Sequence, residues 1–567
     1  MGNRALLAAT VAAALSLGCG KATQDLSYTN PEWRSSVQAS VSFPLAEQVT
    51  LRVGLGAGMT APSPDSASLA WLEKKTNIKL ESVSLAGGPS GVDASQTGGI
   101  DVSQIAGIQL GEMIRSGRLP DIVPEGSIDL NDESVRNLFV DVLEFPELTS
   151  SFRKAVAAAP RFRDGLLARL SAGDKLYSMA TYNPDLIAFA GVLAYRQDIF
   201  QAKGLKTDSW QSIRRSLQEL KTAYPKSYPF GGQFSTLLTL MPSWFGSGYD
   251  KNNIIYFDND SAAWRFGPYE AQFEDMVRFL ADLYKQGLMS PDIVSAREDS
   301  TSGDFSNNTM FLAPYYGPTG PYFRFDGDYG KVTPEGKWNG EGAWISSLPL
   351  PPPPSGGTAK VSTRRFSSAA DGWLVYNQSK HVGEAVAMLD LLFTDEASRI
   401  LGLGPVGTAW RLSGSKVELL EPYRAAYLGG GTASLSEKLK AAGIETAFPL
   451  KGLVFDFFGA LGYPEDASYR YYLQHDAAVN RLGVDLYAET GLRIPTYDKD
   501  FADQRGKAVV SLQTQIESQV AKFIMGQRNL DEYGAFKEEL RKMGAEQLLE
   551  LFRAHATVGD PKVLAGR

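Results

Sequence analysis

Ala70-Trp71-Leu72-Glu73-Lys74-Lys75-Thr76-Asn77-Ile78-Lys79-Leu80-Glu81-Ser82-Val83 changes character halfway along. Up to Thr76 it reads as a helix that starts at Ser66. From Ile78 to Val83 it reads as a strand. Before it, Val49-Thr50-Leu51-Arg52-Val53 alternates as a strand does. After it, Gln104 to Ser116 is helical, and Gly117-Arg118-Leu119-Pro120-Asp121-Ile122-Val123 is a turn running into a strand. Strand, helix, strand, helix, strand is the beginning of an α/β sheet. Gly87 to Gly99 is a Gly/Ser-rich loop inside it.

The same style continues outward. Leu186 to Tyr195 is an apolar strand, and Arg196-Gln197-Asp198-Ile199-Phe200 opens a short helix that stops at Gly204. Asp208-Ser209-Trp210 caps the next helix, which runs through Leu220. Phe273 to Gln286 is an amphipathic helix, Gly372 to Tyr376 a strand, and Gly383 to Phe393 a helix. Pro349 to Pro354 predicts extended polyproline on the surface. The end, Phe501 to Phe552, is mostly helical, and no internal repeat is found.

The N-terminus assigns the compartment. Met1 to Arg4 is a short basic head, Ala5 to Leu17 an apolar run, and Gly18-Cys19 a cut point, which together describe a secretory signal over 1–18. The run is shorter than the roughly 20 residues a membrane-spanning helix needs. Cys19 is the only cysteine, so no disulfide partner exists for it. Leu15-Ser16-Leu17-Gly18-Cys19 resembles a lipobox, with Ser16 where a Leu is usual. Cys19 is therefore expected to carry a lipid such as palmitate. Residues 19–48 then form a flexible, lipid-anchored spacer. This puts the protein in the cell envelope, on the extracytoplasmic side of a bacterial membrane. Ordinary secretion with a free thiol is the alternative.

The 567 residues suit two or three domains; 43% are apolar, and the net charge is −8. That balance excludes the basic face a nucleic-acid binder needs. His381, His475 and His555 are far apart, so with one cysteine a His/Cys zinc site is not expected. No metal and no cofactor are expected. There is no Gly-x-Ser-x-Gly elbow and no phosphate loop. A glycosidase needs two carboxylates at fixed separation, and 64 acidic residues leave that open.

Several segments together resemble a family 1 extracellular solute-binding protein, the receptor of an ABC importer. Ala70 to Ile78 resembles the family's opening helix, with Asn77 for a Gly. Gly117 to Ile122 is similar to its Gly-x-Leu-Pro-Asp-Ile turn. Tyr195 to Phe200 with Gly204-Leu205-Lys206 and Trp210 is similar to its Arg-x-Asp helix, Gly-Leu turn and tryptophan-containing helix start. Phe523-Ile524-Met525-Gly526, Tyr533-Gly534-Ala535-Phe536 and Met543-Gly544-Ala545-Glu546 resemble the C-terminal signature of the large-lipoprotein branch, which handles oligosaccharides and their uronic-acid derivatives. The resemblance implies an α/β, two-lobed periplasmic-binding-protein fold (type II), with a ligand cleft between lobes joined by a hinge. Residues 49–194 and 366–405 would form the N-terminal lobe. Residues 195–365 and 406–567 would form the C-terminal lobe with extra helices. Crossings are expected after Leu193-Ala194-Tyr195 and near Ser367 to Asp371. The implied function is a monomeric, non-enzymatic receptor that captures a carbohydrate and delivers it to ABC permease subunits. A secreted glycoside hydrolase or polysaccharide lyase is the alternative, and a receptor serving a membrane sensor is a third reading.

A sugar ring stacks its C–H face on aromatics and its rim on carboxylates, amides and guanidinium groups. Among nine tryptophans and 24 tyrosines, loop aromatics are the candidates: Trp244 and Phe245, Tyr315 and Tyr316, Trp373, and Trp410. Each could instead be a packing residue. Asp121, Glu125, Asn183, Asp185 and Arg196 are candidate polar contacts; Asp121 and Arg196 could equally be a cap and a lobe-to-lobe ion pair. Some relatives of this family bind calcium after the helix corresponding to Ser212 to Leu220. Lys221 to Tyr249 here has no Asp or Glu, so that site is expected to be lost. Asp498-Lys499-Asp500 with Asp503, and Asp258 with Asp260, read as solvated turns or caps.

Overall fold

A computed structural model describes residues 37, 40–56, 59–85, 110–128, 130, 132–167, 169–170, 174–184, 191–251, 254–258, 261–294, 304–305, 307–316, 345–348, 350–357, 359, 369–444, 449–461, 492–493, 499–555, 557–558 and 562–565. Cys19, Asp185, His475 and the 87–99 loop lie outside them.

Strand β1 (Val49–Leu55), helix α1 (Ala67–Thr76), β2 (Ile78–Ser84) and β3 (Ile122–Pro124) come first along the chain. Then come α2 (Ser150–Ala158), α3 (Pro160–Leu167), β4 (Ser178–Tyr182), β5 (Gly191–Arg196), α4 (Trp210–Ala223), α5 (Phe234–Trp244) and α6 (Ala271–Lys285). Next are β6 (Leu312–Tyr316), β7 (Ile345–Leu348), β8 (Ala369–Val375), α7 (Val382–Leu391), α8 (Asp395–Leu403), β9 (Trp410–Ser413), β10 (Lys416–Leu419) and α9 (Tyr423–Ala441). The last are α10 (Lys499–Ile524), α11 (Tyr533–Lys542) and α12 (Ala545–His555).

The helix-to-strand stretch around Asn77 folds as its residues dictate. Ser66 caps α1, its hydroxyl accepting from the Leu69 amide. Asn77 ends the helix in the left-handed region at φ 58, which a short polar side chain tolerates. Its amide then donates to the Glu73 carbonyl. The chain turns straight into β2, which pairs parallel to β1 from Val49↔Ile78 to Leu55↔Ser84.

The first sheet has the order β2-β1-β3-β8-β4. β1, β2 and β3 are parallel, and β8 runs antiparallel to both β3 and β4. Its core gathers Leu51, Val53, Ile78 and Ile122 with Phe152, Phe162, Trp373, Met388 and Phe393. The start of α2 is fixed by a distant carboxylate. Asp390 of α7 accepts from the Ser151 amide at 3.1 Å and the Phe152 amide at 2.7 Å. A carboxylate there satisfies orphan amides and meets the positive end of the helix dipole. Burial holds the Asp390 pKa above its usual value, and the two amides oppose that shift.

The second lobe has the sheet order β6-β5-β7, with β5 antiparallel to both neighbours. Its core joins α4, α5 and α6 to the C-terminal helices α10, α11 and α12. This corrects one expected boundary. β5 belongs to the second sheet, so the chain leaves the first lobe between Tyr182 and Gly191, not after Tyr195.

Residues 406–461, expected in the C-terminal lobe, also depart from expectation. The described ones do not join the second-lobe core. Ile400, Leu403, Trp410, Tyr427, Leu435, Leu439, Ile444 and Phe455 form a third core, and Trp71 of α1 packs against it. The C-terminal Leu564 returns to the first-lobe core. Part of the expected spacer is also folded: Val37, Val41, Phe43 and Leu45 pack on the first lobe. The Asn77 side chain donates to the Leu45 carbonyl there. In the proline run, Pro351 and Pro353 are buried while Pro352 and Pro354 are exposed, so only alternate rings meet water.

Asp390→Ala would strand the two amides that begin α2 inside the core. It should lower unfolding free energy by about 2 kcal/mol, measured by urea denaturation, with Glu396→Ala on the exposed Lys75–Glu396 pair changing little.

Candidate functional site

The site is built where the first sheet frays. β3 stops at Pro124, level with Trp373 of β8 and Met179 of β4. β4 and β8 run on together to the pairs Ala370↔Thr181 and Ala369↔Tyr182. A bulge interrupts β8 between Ala370 and Trp373, and such a bulge leaves backbone groups without a ladder partner. The Gly372 amide finds its partner in Glu125, whose Oε2 accepts from it at 3.0 Å. The same carboxylate accepts from the Ser178 hydroxyl at 2.8 Å and from the Arg169 guanidinium. Gly372 has to be glycine: an added Cβ would stand 2.4 Å from Ala180 Cα and from the Met179 carbonyl oxygen.

A third pass of chain lies on the far side of β4. The Tyr182 amide donates to the Gly452 carbonyl at 2.7 Å, and the Val454 amide donates to the Tyr182 carbonyl at 2.8 Å. The Thr181 hydroxyl donates to the Lys451 carbonyl at 2.9 Å. Gly452 is pressed on Phe393, where a Cβ would come within 2.7 Å of the ring. Thus β8, β4 and residues 451–454 lie side by side, at the carboxyl end of β3 and β4. In open α/β sheets ligands bind outside the carboxyl ends of the strands.

Four groups stand at this end. Tyr182 is half-buried and stacks on Phe162 at 4.8 Å between ring centroids. Burial, then the charge of Asp456, pushes its phenol pKa up. Asn183 keeps its Oδ1 buried with no donor among the described residues. The Lys451 side chain is half-buried, and burial pushes its pKa down. Glu125 and Arg169 form a mostly buried ion pair on the floor.

The sequence-chosen residues divide sharply. Glu125 and Asn183 stand at this end of the sheet. Asp121 is spent inside the first lobe, accepting from the Arg52 amide at 2.7 Å and the Ser379 hydroxyl at 2.6 Å. Arg196 is buried in the second lobe, donating to both oxygens of Asp198 and to the Phe305 carbonyl. It makes no lobe-to-lobe pair among the described residues. Trp244 and Phe245 are buried in the second-lobe core, Phe245 packing on Trp210 at 4.3 Å. Trp373 is buried in the first-lobe core and Trp410 in the third. Trp410 donates its indole N–H to the Gly404 carbonyl at 2.8 Å. All four rings are buried by the elements that carry them: Trp244 ends α5 with Phe245 as its cap, Trp373 lies in β8 and Trp410 opens β9. Tyr315 and Tyr316 belong to β6, and their side chains, like Asp185, lie outside the described residues. No group of three His, Cys, Asp or Glu side chains that could hold a metal ion occurs among the described residues. Asp258 accepts from the Ser261 hydroxyl. Sequence reading missed Arg169, Tyr182 and Lys451. For Lys451 a signal existed: it is the only charge in Phe448-Pro449-Leu450-Lys451-Gly452-Leu453-Val454-Phe455.

No family model and no curated protein matches the chain. Solved structures do. An alginate-binding protein, AlgQ2, solved without calcium ion, superposes with a TM-score of 0.59 at 16% identity, over 91% of this chain and 99% of that one. An HMO-binding ABC-transporter-associated solute-binding protein from Bifidobacterium longum infantis gives 0.62 at 12% identity, over 92% and 100%. The Streptococcus pneumoniae ABC-transporter substrate-binding protein FusA in complex with kestose gives 0.56 at 15% identity, over 89% and 98%. The chain has their fold, the two-lobed α/β fold of solute-binding proteins, over nearly its whole length.

Trp244→Ala should cost about 3–5 kcal/mol by emptying a core site. Guanidinium denaturation would show it as a loss of fold, where a cleft-lining ring would leave stability near wild type.

Proposed function

We infer that this chain is an extracytoplasmic receptor that captures a carbohydrate, an oligosaccharide, between its two lobes and delivers it to an ABC permease. The observation that carries the reading is the fold shared with carbohydrate-binding receptors over about nine-tenths of the chain. The junction geometry supports it. Three passes of chain meet at one end of the first sheet, and two lobes joined there can close on a ligand by small backbone changes. The polar groups at that end, Asn183, Tyr182 and Glu125 with Arg169, suit the hydroxyl rim of a sugar. No helix among the described residues is long and apolar enough to cross a membrane. A lipid on Cys19 would hold the receptor near its permease and raise its effective concentration there.

Titrating the purified protein with an oligosaccharide panel tests this. A cognate sugar should raise Tm in a concentration-dependent way, by about 2.7 kcal/mol of added stability at a hundred times Kd, and should be recovered unchanged. Release of shortened sugars would overturn the receptor reading and favour the hydrolase or lyase alternative. Cys19→Ser should move the protein from the membrane to the soluble fraction with sugar binding intact.

A further inference from the structure

After its last long helix the chain returns to the first lobe. Phe552 of α12 is buried in the second-lobe core, whereas Leu564 is buried in the first-lobe core with Val563 packed beside it. The passage starts from a braced end. Phe501, near the start of α10, meets Phe552 at 5.4 Å and His555 at 5.5 Å between ring centroids. Beyond these rings β11 (Leu492–Arg493) leads into α10 and β12 (Thr557–Val558) leaves α12. They pair antiparallel, Leu492↔Val558 and Arg493↔Thr557. Two passages of opposite direction are thus joined to each other. The far end is braced as well. Leu564, in the short helix Lys562–Ala565, lies against α2, and its carbonyl accepts from Arg153 Nη1 at 3.5 Å. Arg153 also donates to the Leu143 carbonyl and the Thr149 hydroxyl, both at 3.0 Å, so the seat is part of the first lobe's own packing. Two paired strands alone are marginal in water; here each end is held by a different core. Val558 and Leu564 are six positions apart, a reach of at most about 20 Å.

We propose that the β11–β12 pair and the seat of Leu564 act together as a tie between the lobes, which confines their opening to a rotation about an axis close to it. The β4–β8 ribbon by itself would leave the second lobe free to twist as well as to swing. An attachment with a reach of about 20 Å removes motions that carry the α10–α12 end away from α2 and keeps those that pivot on it. Fewer open arrangements leave a larger fraction of molecules near the binding-competent one, and apparent affinity rises with that fraction. The tie belongs to the lobes and acts alike for any solute they take, so it goes beyond the carbohydrate-receptor reading.

The test uses the full chain with Cys19→Ser, which removes its only cysteine. Spin labels go on Lys74→Cys in the first lobe and Lys285→Cys in the second, and in a second sample on Lys79→Cys and Lys226→Cys; all four lysines are exposed. Pulsed electron paramagnetic resonance then reads the distribution of lobe-to-lobe distances without ligand. Two variants loosen the tie in different ways. A flexible Gly/Ser insertion of about ten residues after Gly559 lengthens the reach and leaves every buried residue in place. Leu564→Asp puts a carboxylate into an apolar seat and unfastens it. Both should widen the distribution and shift it to longer distances in at least one label pair. Leu564→Met, which refills the seat, should match the unmodified protein. An insertion variant with unchanged distributions in both pairs would overturn the proposal, and so would a folded Leu564→Asp protein that keeps them. If Leu564→Asp does not fold, the insertion decides alone. No sugar enters the experiment, so failure of the receptor reading leaves its outcome unaffected.

Discussion

The Glu125 carboxylate ties three strands together at the point where their shared sheet ends. β3 has stopped, β8 has bulged, and β4 continues without it. One oxygen takes the Gly372 amide of the bulge, the Ser178 hydroxyl of β4 and the Arg169 guanidinium. Without that acceptor the bulge would bury an unpaired amide, which costs about as much as a lost hydrogen bond. With it, β4 and β8 can project beyond the sheet as a ribbon. Two of the passages between the lobes start from that ribbon, one following β4 and one preceding β8; the chain crosses again before α10 and after α12.

The ribbon also explains why the third core lies where it does. Residues 451–454 pair with the end of β4 through one bridge, Tyr182↔Leu453, and then lead to Phe455 and Phe457, which stack edge to face at 4.9 Å. Phe455 closes the third core, and Gly402 leaves room for it: a Cβ there would stand 2.7 Å from Phe455. The third core is thus attached to the first lobe through α8 and α1.

Charge placement separates structural groups from available ones. Asp121, Asp390 and Arg196 each face several partners inside one lobe, so their burial is compensated. Lys451 and the Asn183 oxygen are not compensated in this way. Protein interiors rarely keep such groups, because each costs free energy that a packed apolar residue would not.

The sequence by itself determined the local elements and the class of fold. Ser66 and Asn77 delimit α1 through chemistry that acts within a few residues, a hydroxyl cap and a tolerated positive φ. Ser209 does the same for α4. Glu125 and Asn183 were legible as polar residues beside a strand end. Trp244, Phe245, Trp373 and Trp410 were read as loop aromatics because glycine and proline flank them, whereas they stand at the end of α5, in β8 and at the start of β9, with their rings buried. Only the tertiary structure decided that, along with the placing of β5 in the second sheet and the separate third core. Each depends on which distant segment supplies the hydrogen bonds or the apolar surface: β6 and β7 for β5, residues 451–454 for β4, and Trp71 for the third core. Periodicity and capping are local, but burial and pairing belong to partners hundreds of residues away, and no spacing within a segment names them.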